Sequence, residues 1–307
     1  MNYSNFTFLN SFNKEIIGYK WKPDPESQKG VVLLIHGLAE HCGRYDHFSK
    51  FLNKNGFAVL GYDHPGHGQT DPDSPGYISS EDGFHYMVQT VGDFLKFATA
   101  QFPGVPTIVF AHSMGSFLTQ RYFQLYDDLP EAVIYSGSNG KPPAILQGGI
   151  WISSLLRKIY GPESKSPFLN KLTFGEYNKP FKPARTEMDW LSRDQDQVDR
   201  YISDPYCGFN CSTSFYNDLF KGLKALHSHK PFAGNSAALP ILLFSGESDP
   251  VSDMGKGIKN LEKLLIGSDA GRIQKKLYPG GRHEMLNETN REQVMEDVLQ
   301  WAVSSLQ

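Results

Sequence analysis

The sequence predicts an α/β protein in which helices cover both faces of a mostly parallel sheet. Short apolar segments alternate with helix-length amphipathic segments over most of the 307 residues, and this alternation is typical of such a sheet. The apolar segments are bounded by glycine, proline or aspartate, as expected for strands buried on both faces. One long segment without the alternation predicts an additional, inserted unit.

The predicted elements follow in order along the chain. Two fairly polar segments near the start fit an antiparallel edge hairpin, and six apolar segments fit buried parallel strands. The eight predicted strands are residues 6–9, 15–21, 31–35, 57–62, 107–110, 132–135, 241–244 and 273–278. Helical periodicity predicts helices at residues 45–54, 83–101, 114–126, 253–266 and 292–306.

Residues 139–238 have no clear βα repeat and are rich in proline, aromatic residues and polar turns. A loop of that length without structure of its own is uncommon in a compact domain. We therefore predict that residues 1–138 and 239–307 form the core, and that residues 139–238 form an inserted helical cap, or lid.

Within the predicted cap, residues 145–160 carry an apolar helical stripe. It consists of Ile145, Ile152, Leu156 and Ile159, with Trp151 and Leu155 beside it. Two interpretations are open, because a helical stripe is first of all a packing signal. The helix either lines an apolar substrate pocket as part of a lid, or is an ordinary helix packed on its neighbours.

The composition excludes several classes of protein. Lys and Arg number 30, Asp and Glu number 33, and the net charge of −3 lacks the basic footprint of a nucleic-acid-binding domain. Neither a signal-peptide pattern nor an apolar run of transmembrane length is visible, so we expect a soluble, cytoplasmic protein. The three cysteines are expected to be reduced, although a Cys207–Cys211 pair is an alternative.

The strongest local signal is a predicted strand that runs directly into Ala111-His112-Ser113-Met114-Gly115 and then into a helix. This is the pattern of a nucleophile elbow, in which the serine lies on a strained strand-to-helix turn. The crowded turn requires small residues two positions before and after the serine, and Ala111 and Gly115 meet that requirement. The Met114 N–H would then lie at a helix N-terminus, where it favours an anion.

A serine nucleophile needs a base, and the base needs an orienting acid. After an elbow these residues follow in the order serine, acid, histidine. Asp249 follows a later apolar strand and is the predicted acid; Glu247 and Asp253 compete with it, but Asp253 lies where a helix should begin and fits an N-cap. Only His283 lies beyond Asp249, so elimination gives Ser113, Asp249 and His283.

The loop after the first central strand begins His36-Gly37-Leu38. Because a second oxyanion donor usually comes from this loop, the N–H groups of Leu38 and Met114 form the predicted oxyanion hole. His36 is interpreted as a structural loop residue, since the backbone carries the function here.

The segment DHPGHG, which begins at Asp63, contains two histidines that could suggest a metal site. They lie in a loop with no further ligands at a recognisable spacing, and the chain has no zinc motif and no glycine-rich phosphate loop. We therefore predict no metal and no other cofactor.

Five motifs together resemble the monoacylglycerol lipase and lysophospholipase branch of the α/β-hydrolase superfamily. They are HGLAEHCGRY (36–45), DHPGHGQTD (63–71), AHSMGS (111–116), SGESDPV (245–251) and GGRHEMLNE (280–288). The resemblance implies the α/β-hydrolase fold, with eight core strands and a helical cap. It also implies a serine esterase that releases a fatty acid from single-chain acyl esters, either monoacylglycerol or lysophospholipid.

The same resemblance implies that Glu40 and Arg44 approach the alcohol part of the substrate, with a surface ion pair as the alternative. Two positions depart from the family pattern. Ala111 stands where glycine is more common, and Leu286 stands where members specialised for monoacylglycerol tend to have a second histidine. The second departure shifts the expected substrate towards a lysophospholipid or a generic ester.

Two other functions are open. A peptidase of the same fold would need acidic residues to hold the substrate amine, and the predicted cap contains Glu163, Glu176, Glu187, Asp189, Asp194, Asp196 and Asp199. A ligand receptor could use the same scaffold, because one fold hosts many functions. The expected partner is a small acyl ester or lipid, with transient contact between the cap and a membrane surface, no integral membrane segment and no nucleic acid.

Overall fold

The computed structural model describes residues 3–22, 28–142, 146–234, 236–268 and 270–307. Their strands are β1 (Ser4–Leu9), β2 (Glu15–Trp21), β3 (Gly30–Ile35), β4 (Phe57–Tyr62), β5 (Thr107–His112), β6 (Ala132–Ser136), β7 (Ile241–Gly246) and β8 (Ile273–Tyr278). In this part of the chain they form one eight-stranded sheet in the order β1-β2-β4-β3-β5-β6-β7-β8. β2 pairs antiparallel with β1 and β4, and all other neighbours are parallel.

Helices cover both faces of the sheet. The helices of the described residues, including four that lie between β6 and β7, are α1 (Asp46–Lys54), α2 (Gly83–Gln101), α3 (Met114–Leu125), α4 (Leu146–Tyr160), α5 (Pro167–Phe174), α6 (Gln195–Ser203), α7 (Thr213–Leu226), α8 (Lys256–Ile266) and α9 (Arg291–Ser305). Side chains of β3 alternate between two cores, because successive residues of a strand point to opposite faces. Val31, Leu33 and Ile35 pack with α2, α3 and α8, whereas Val32 and Leu34 pack with α1 and α9.

The predicted fold class is confirmed, with two local corrections. β8 is not a buried strand, because it pairs only with β7 at the edge of the sheet and its residues are mostly half-exposed. Asp253 is not an N-cap, because α8 begins at Lys256 and is preceded by Gly255. Asp253 instead begins a turn in which three successive residues have positive φ.

Helices α4 to α7 lie between β6 and β7, and we call residues 146–226 the inserted segment. Its helix α4 packs along α7, with Gly149 and Ser153 buried in the contact. Ile152 and Leu156 are half-buried, but Ile159 is exposed, so the predicted apolar stripe is divided between core and surface. Ile145 lies outside the described residues. None of the described helices has the length and apolar character needed to cross a membrane.

Candidate active site

The chain passes from β5 to α3 through a strained turn at Ser113. This residue has φ 49° and ψ −120°, a positive-φ conformation that is costly for a residue with a Cβ. The turn also brings α3 against the end of β3. A Cβ added to Gly115 would lie 2.4 Å from the carbonyl oxygen of Ile35, so only glycine fits there. The result is an elbow that holds the Ser113 side chain at the carboxyl end of the sheet.

Asp249 and His283 form a buried pair after β7 and β8. The Nδ1–H of His283 donates to Oδ1 of Asp249 at 3.0 Å, which leaves Nε2 as the free basic nitrogen of the ring. The hydroxyl of Ser245 donates to Oδ2 of Asp249 at 2.7 Å, and the N–H of Val251 donates to Oδ1 at 2.8 Å. These bonds fix both the carboxylate and the ring that it orients.

Asp249 and His283 each shift the pKa of the other. Burial alone would raise the pKa of Asp249, but His283 and the donated hydrogen bonds lower it below its ordinary value. Burial alone would lower the pKa of His283, but Asp249 raises it above its ordinary value, with smaller contributions from Glu284 and Glu40. Asp249 is therefore held as the carboxylate, and the protonated form of His283 is stabilised.

The His283 ring is enclosed from several sides. Its centroid lies 4.7 Å from that of His112 and 5.3 Å from that of Trp190. Gly137, with φ 59°, leaves room for the ring, because a Cβ there would lie 2.8 Å from its Cε1. The N–H of Glu284 donates to the carbonyl of Leu191 at 2.8 Å, so the inserted segment is bonded to the histidine loop.

The loop after β3 lies against the elbow. A Cβ added to Gly37 would lie 3.2 Å from the Ser113 Cβ. The Gly37 N–H donates to Oε1 of Glu40 at 2.6 Å, and the Tyr45 hydroxyl donates to the same oxygen at 3.0 Å. Glu40 therefore holds the turn that presents Leu38.

A buried ion network joins this loop to the histidine loop. Nη1 of Arg44 donates to Oε2 of Glu40 at 2.6 Å and to Oε1 of Glu284 at 2.7 Å, and Nη2 donates to Oε2 of Glu284 at 2.6 Å. Burial would raise the pKa of Glu284, but Arg44 lowers it to about 2. The pair Glu40–Arg44 is thus not a surface ion pair, and both side chains already have protein partners.

A cavity of about 1380 Å³ opens beside the elbow. Ser113, His283, Leu38, Met114 and Glu40 contribute to its wall. The rest of the wall is largely apolar and includes Phe117, Phe174, Met188, Trp190, Leu219, Phe220 and Leu223. The volume exceeds the roughly 300–1,000 Å³ typical of small-ligand sites, so a long acyl chain has room.

Most of the acidic residues of the inserted segment that could serve a peptidase already have other partners. Asp194 pairs with Arg291 at 2.6 Å, Asp199 pairs with Arg185 at 2.7 Å, and Glu176 pairs with Lys179. The Thr186 hydroxyl donates to Asp189 at 2.6 Å. Of the seven residues named above, only Glu187 lines the cavity, whereas the cations Lys141, Lys171, Lys182 and Arg185 also line it.

The histidines of the DHPGHG segment have structural roles in the described chain. The N–H of His64 donates to Nε2 of His36 at 3.0 Å, and Nε2–H of His64 donates to the His36 carbonyl at 3.0 Å. Burial lowers the pKa of His64 to about 3 and that of His67 to about 4, so both rings are neutral. Asp63 accepts hydrogen bonds from the Cys42 and Gln69 N–H groups and the Tyr19 hydroxyl.

Sequence reasoning missed two residues of this site. The position of Glu284 directly after the predicted base could have indicated a role at the site. Its ion pair could not be predicted, because its partner Arg44 is 240 residues away in the sequence. Trp190 had no local signal, because it lies in a turn-rich stretch without periodicity and contacts His283 only in the folded chain. None of the three cysteines forms a disulfide bond, so the alternative Cys207–Cys211 pair is absent from the described structure.

Known proteins share this architecture. Residues 26–290 match the model of the Hydrolase_4 family, described as serine aminopeptidase, S33. A monoacylglycerol lipase of Mycolicibacterium smegmatis is 28% identical over 303 residues, which cover 99% of this chain and 98% of the relative. A monoglyceride lipase of Rattus norvegicus is 27% identical over 273 residues, with 87% and 79% covered. A thermostable carboxyl esterase from Bacillus coagulans, solved with glycerol, has a TM-score of 0.89 at 23% identity and 100% coverage of both chains.

The sheet order and the elbow define an α/β hydrolase. The chain belongs to the serine aminopeptidase S33 family. Within it, the chain groups with the monoacylglycerol lipase and lysophospholipase branch, and it is a serine ester hydrolase.

The ion network predicts how the His283 pKa responds to substitution. Glu284→Gln should lower the pKa of His283, because it removes a carboxylate that stabilises the imidazolium. NMR titration of the His283 ring measures this pKa. Glu292→Gln is the control, since that carboxylate lies on the surface and pairs with His47; an equal shift in both variants, or none in Glu284→Gln, contradicts the argument.

Proposed function

We propose that Ser113, His283 and Asp249 are the catalytic triad of a carboxylic ester hydrolase that releases a fatty acid from single-chain acyl esters. Nε2 of His283 takes the Ser113 proton as Oγ attacks the acyl carbonyl, and then protonates the leaving alcohol. Asp249 orients the ring and stabilises the imidazolium. Water, activated by His283, then attacks the acyl-enzyme and returns Ser113 to its starting state.

The observation that carries this proposal is that Ser113 and His283, which is hydrogen-bonded to the buried Asp249, lie on one cavity wall. The strained elbow at Ser113 lies more than 130 residues before the Asp249–His283 pair in the sequence. Ser113 and His283 nevertheless line the same cavity. Strain of this kind concentrates at functional sites. A hydrogen-bonded acid–histidine pair beside such a serine supports the triad more directly than the motif alone.

The proposed oxyanion hole consists of the N–H groups of Leu38 and Met114. Met114 is the first residue of α3, where an unpaired N–H and the helix dipole favour negative charge. Leu38 lies in the turn held by Glu40. One such donor typically contributes about 3 kcal/mol of transition-state stabilisation. Glu40 and Arg44 then act by positioning this loop rather than by binding the substrate alcohol.

The apolar wall of the cavity favours an acyl chain as the group that is bound. Monoacylglycerols and lysophospholipids both offer one chain and a polar head group, and both are proposed substrates. Leu286 packs into the core on the α1 and α9 side of the sheet and not along the cavity. Its identity therefore carries little weight for the choice between these head groups.

We further propose that residues 139–238 act as the cap over this cavity, and that the protein works in the cytoplasm. Many lining residues belong to the inserted segment, and Trp190 covers His283. An aminopeptidase would need free carboxylates near the elbow to bind an amine, and the carboxylates on that part of the cavity wall, Glu40 and Glu284, are already paired with Arg44. This pairing favours the ester hydrolase.

Replacement of the nucleophile tests the mechanism. Ser113→Ala should lower kcat for p-nitrophenyl esters by at least about 10⁴-fold, because the acyl-enzyme can no longer form. Wild-type turnover, measured from acetyl to palmitoyl esters, should peak at medium or long chains. The matched control is Ser49→Ala, whose buried hydroxyl has no hydrogen-bond partner among the described residues.

Wild-type turnover by Ser113→Ala would refute the triad. Aminoacyl p-nitroanilides measured beside the esters test the peptidase alternative, and faster cleavage of the amides would replace the proposed reaction. Tight, saturable lipid binding without turnover would favour a receptor instead.

The exposed face of α4 predicts a membrane-surface contact. Trp151, Leu155 and Ile159 are 73%, 58% and 59% exposed and lie four residues apart on one helix face. Apolar residues grouped in this way favour insertion into a lipid interface. Ile159→Ser should lower the hydrolysis of vesicle-bound monoacylglycerol several-fold and leave turnover of a short, soluble ester unchanged.

Ile266→Ser is the control for this surface, because Ile266 is 60% exposed but lies on α8, outside the inserted segment. Equal loss in the two variants, measured as vesicle co-sedimentation and as turnover, would contradict a specific role for the α4 face.

A further inference from the structure

A mixed cluster of metal-ligating side chains lies where the loop after β3 meets the inserted segment. His41 follows Glu40 in that loop, and Asp204 and Cys207 follow helix α6. Nε2 of His41 lies 3.0 Å from Oδ2 of Asp204. One ligand atom from each of His41, Asp204 and Cys207 lies within 4.8 Å of the other two.

The surrounding contacts orient this cluster. The Tyr206 N–H donates to Oδ1 of Asp204 at 2.8 Å, which leaves Oδ2 directed at His41. The Tyr206 ring meets the His41 ring edge-on, with centroids 5.8 Å apart. The Cys207 N–H donates to the Asp204 carbonyl at 3.1 Å and closes the turn that brings the thiol beside the carboxylate. Outer contacts of this kind commonly hold metal ligands in place.

The ligand atoms of this cluster suit a borderline-soft cation. Imidazole nitrogen, thiolate sulfur and carboxylate oxygen are the three ligand types that Zn²⁺ uses, and a thiolate disfavours Mg²⁺ and Ca²⁺. The side chains of His41 and Asp204 are 15% and 27% exposed, so an ion can reach them from solvent. Burial raises the pKa of the Cys207 thiol; Arg44 opposes this effect, and Asp204, Glu40 and Glu284 add to it.

We propose that His41, Asp204 and Cys207 bind one divalent transition-metal ion, with Zn²⁺ as the preferred occupant, and that this ion joins the loop after β3 to the inserted segment. On binding, the Cys207 thiol releases its proton to solvent and His41 keeps a proton on Nδ1 only. The three protein ligands leave a fourth tetrahedral position for water. The site is separate from the triad and does not depend on the proposed reaction.

The ion would reinforce a junction that already exists. The Ala39 carbonyl accepts hydrogen bonds from the Tyr201 hydroxyl at 2.9 Å and from the Gly208 N–H at 3.0 Å. Ala39 lies between Leu38 and Glu40, so the metal would tie the proposed oxyanion loop to the chain that follows α6. A ligand that binds the folded state alone stabilises it. Zn²⁺ should therefore raise the thermal unfolding midpoint of the protein.

The test is a Zn²⁺ titration of the full chain in competition with a chromogenic chelator. Wild type should bind one equivalent, and Cys207→Ser and His41→Gln should each bind at least tenfold more weakly. Co²⁺ should give a thiolate-to-cobalt charge-transfer band that Cys207→Ser lacks. Cys211→Ser is the matched control, because Cys211 is also a free thiol but lies outside the cluster; it should keep both the affinity and the band.

Thermal unfolding measured without metal shows which variants are folded. If Cys207→Ser or His41→Gln is not folded, Asp204→Asn is titrated in its place. Absence of micromolar Zn²⁺ binding by wild type would overturn the proposal. So would binding that is unchanged in Cys207→Ser, or a cobalt complex without the thiolate band, since both outcomes would place the ion on other side chains such as surface histidines.

Discussion

The close approach of the elbow to the end of β3 is the constraint on which the rest of the site depends. Ser113 keeps its positive-φ backbone only because β5 and α3 are held on either side of it, and its N–H donates to the Ser136 carbonyl at 2.9 Å. Gly115 allows α3 to reach the carbonyls of Ile35 and His36. The same contact brings the loop after β3 beside the serine. The proposed nucleophile and the proposed oxyanion donors are thus positioned by one packing event.

A buried ion network connects two loops that the packing of the β-sheet does not hold together. Arg44 bridges Glu40 on one loop and Glu284 on the other, and Glu284 directly follows His283. Removal of one partner from such a network leaves an uncompensated buried charge, which typically costs about 3–5 kcal/mol. The network therefore fixes the distance between the loop after β3 and the histidine loop, and its acidic members also favour the protonated form of His283.

Much of this arrangement could be predicted from the sequence, because its signals are local. The elbow needs a buried strand, two small residues and a helix within a short span, and Asp249 and His283 follow from chain order. Contacts made across the fold could not be predicted in this way: Glu284 follows the predicted base, but its partner Arg44 lies 240 residues away, and Trp190 left no local signal for its contact with His283. The N-cap at Asp253 was wrong because a turn of positive-φ residues overrides capping propensity there. The exposure of β8 depends on its place at the sheet edge, which periodicity alone does not reveal.

Identification of the covalently modified residue tests the central claim most directly. The folded protein would be treated with a fluorophosphonate, which reacts with activated serines, then digested and sequenced by mass spectrometry. The account predicts a single adduct on Ser113, with a rate that falls in Asp249→Asn because His283 loses its orienting carboxylate. An adduct on another serine, or ester turnover that persists after Ser113 is fully modified, would contradict it.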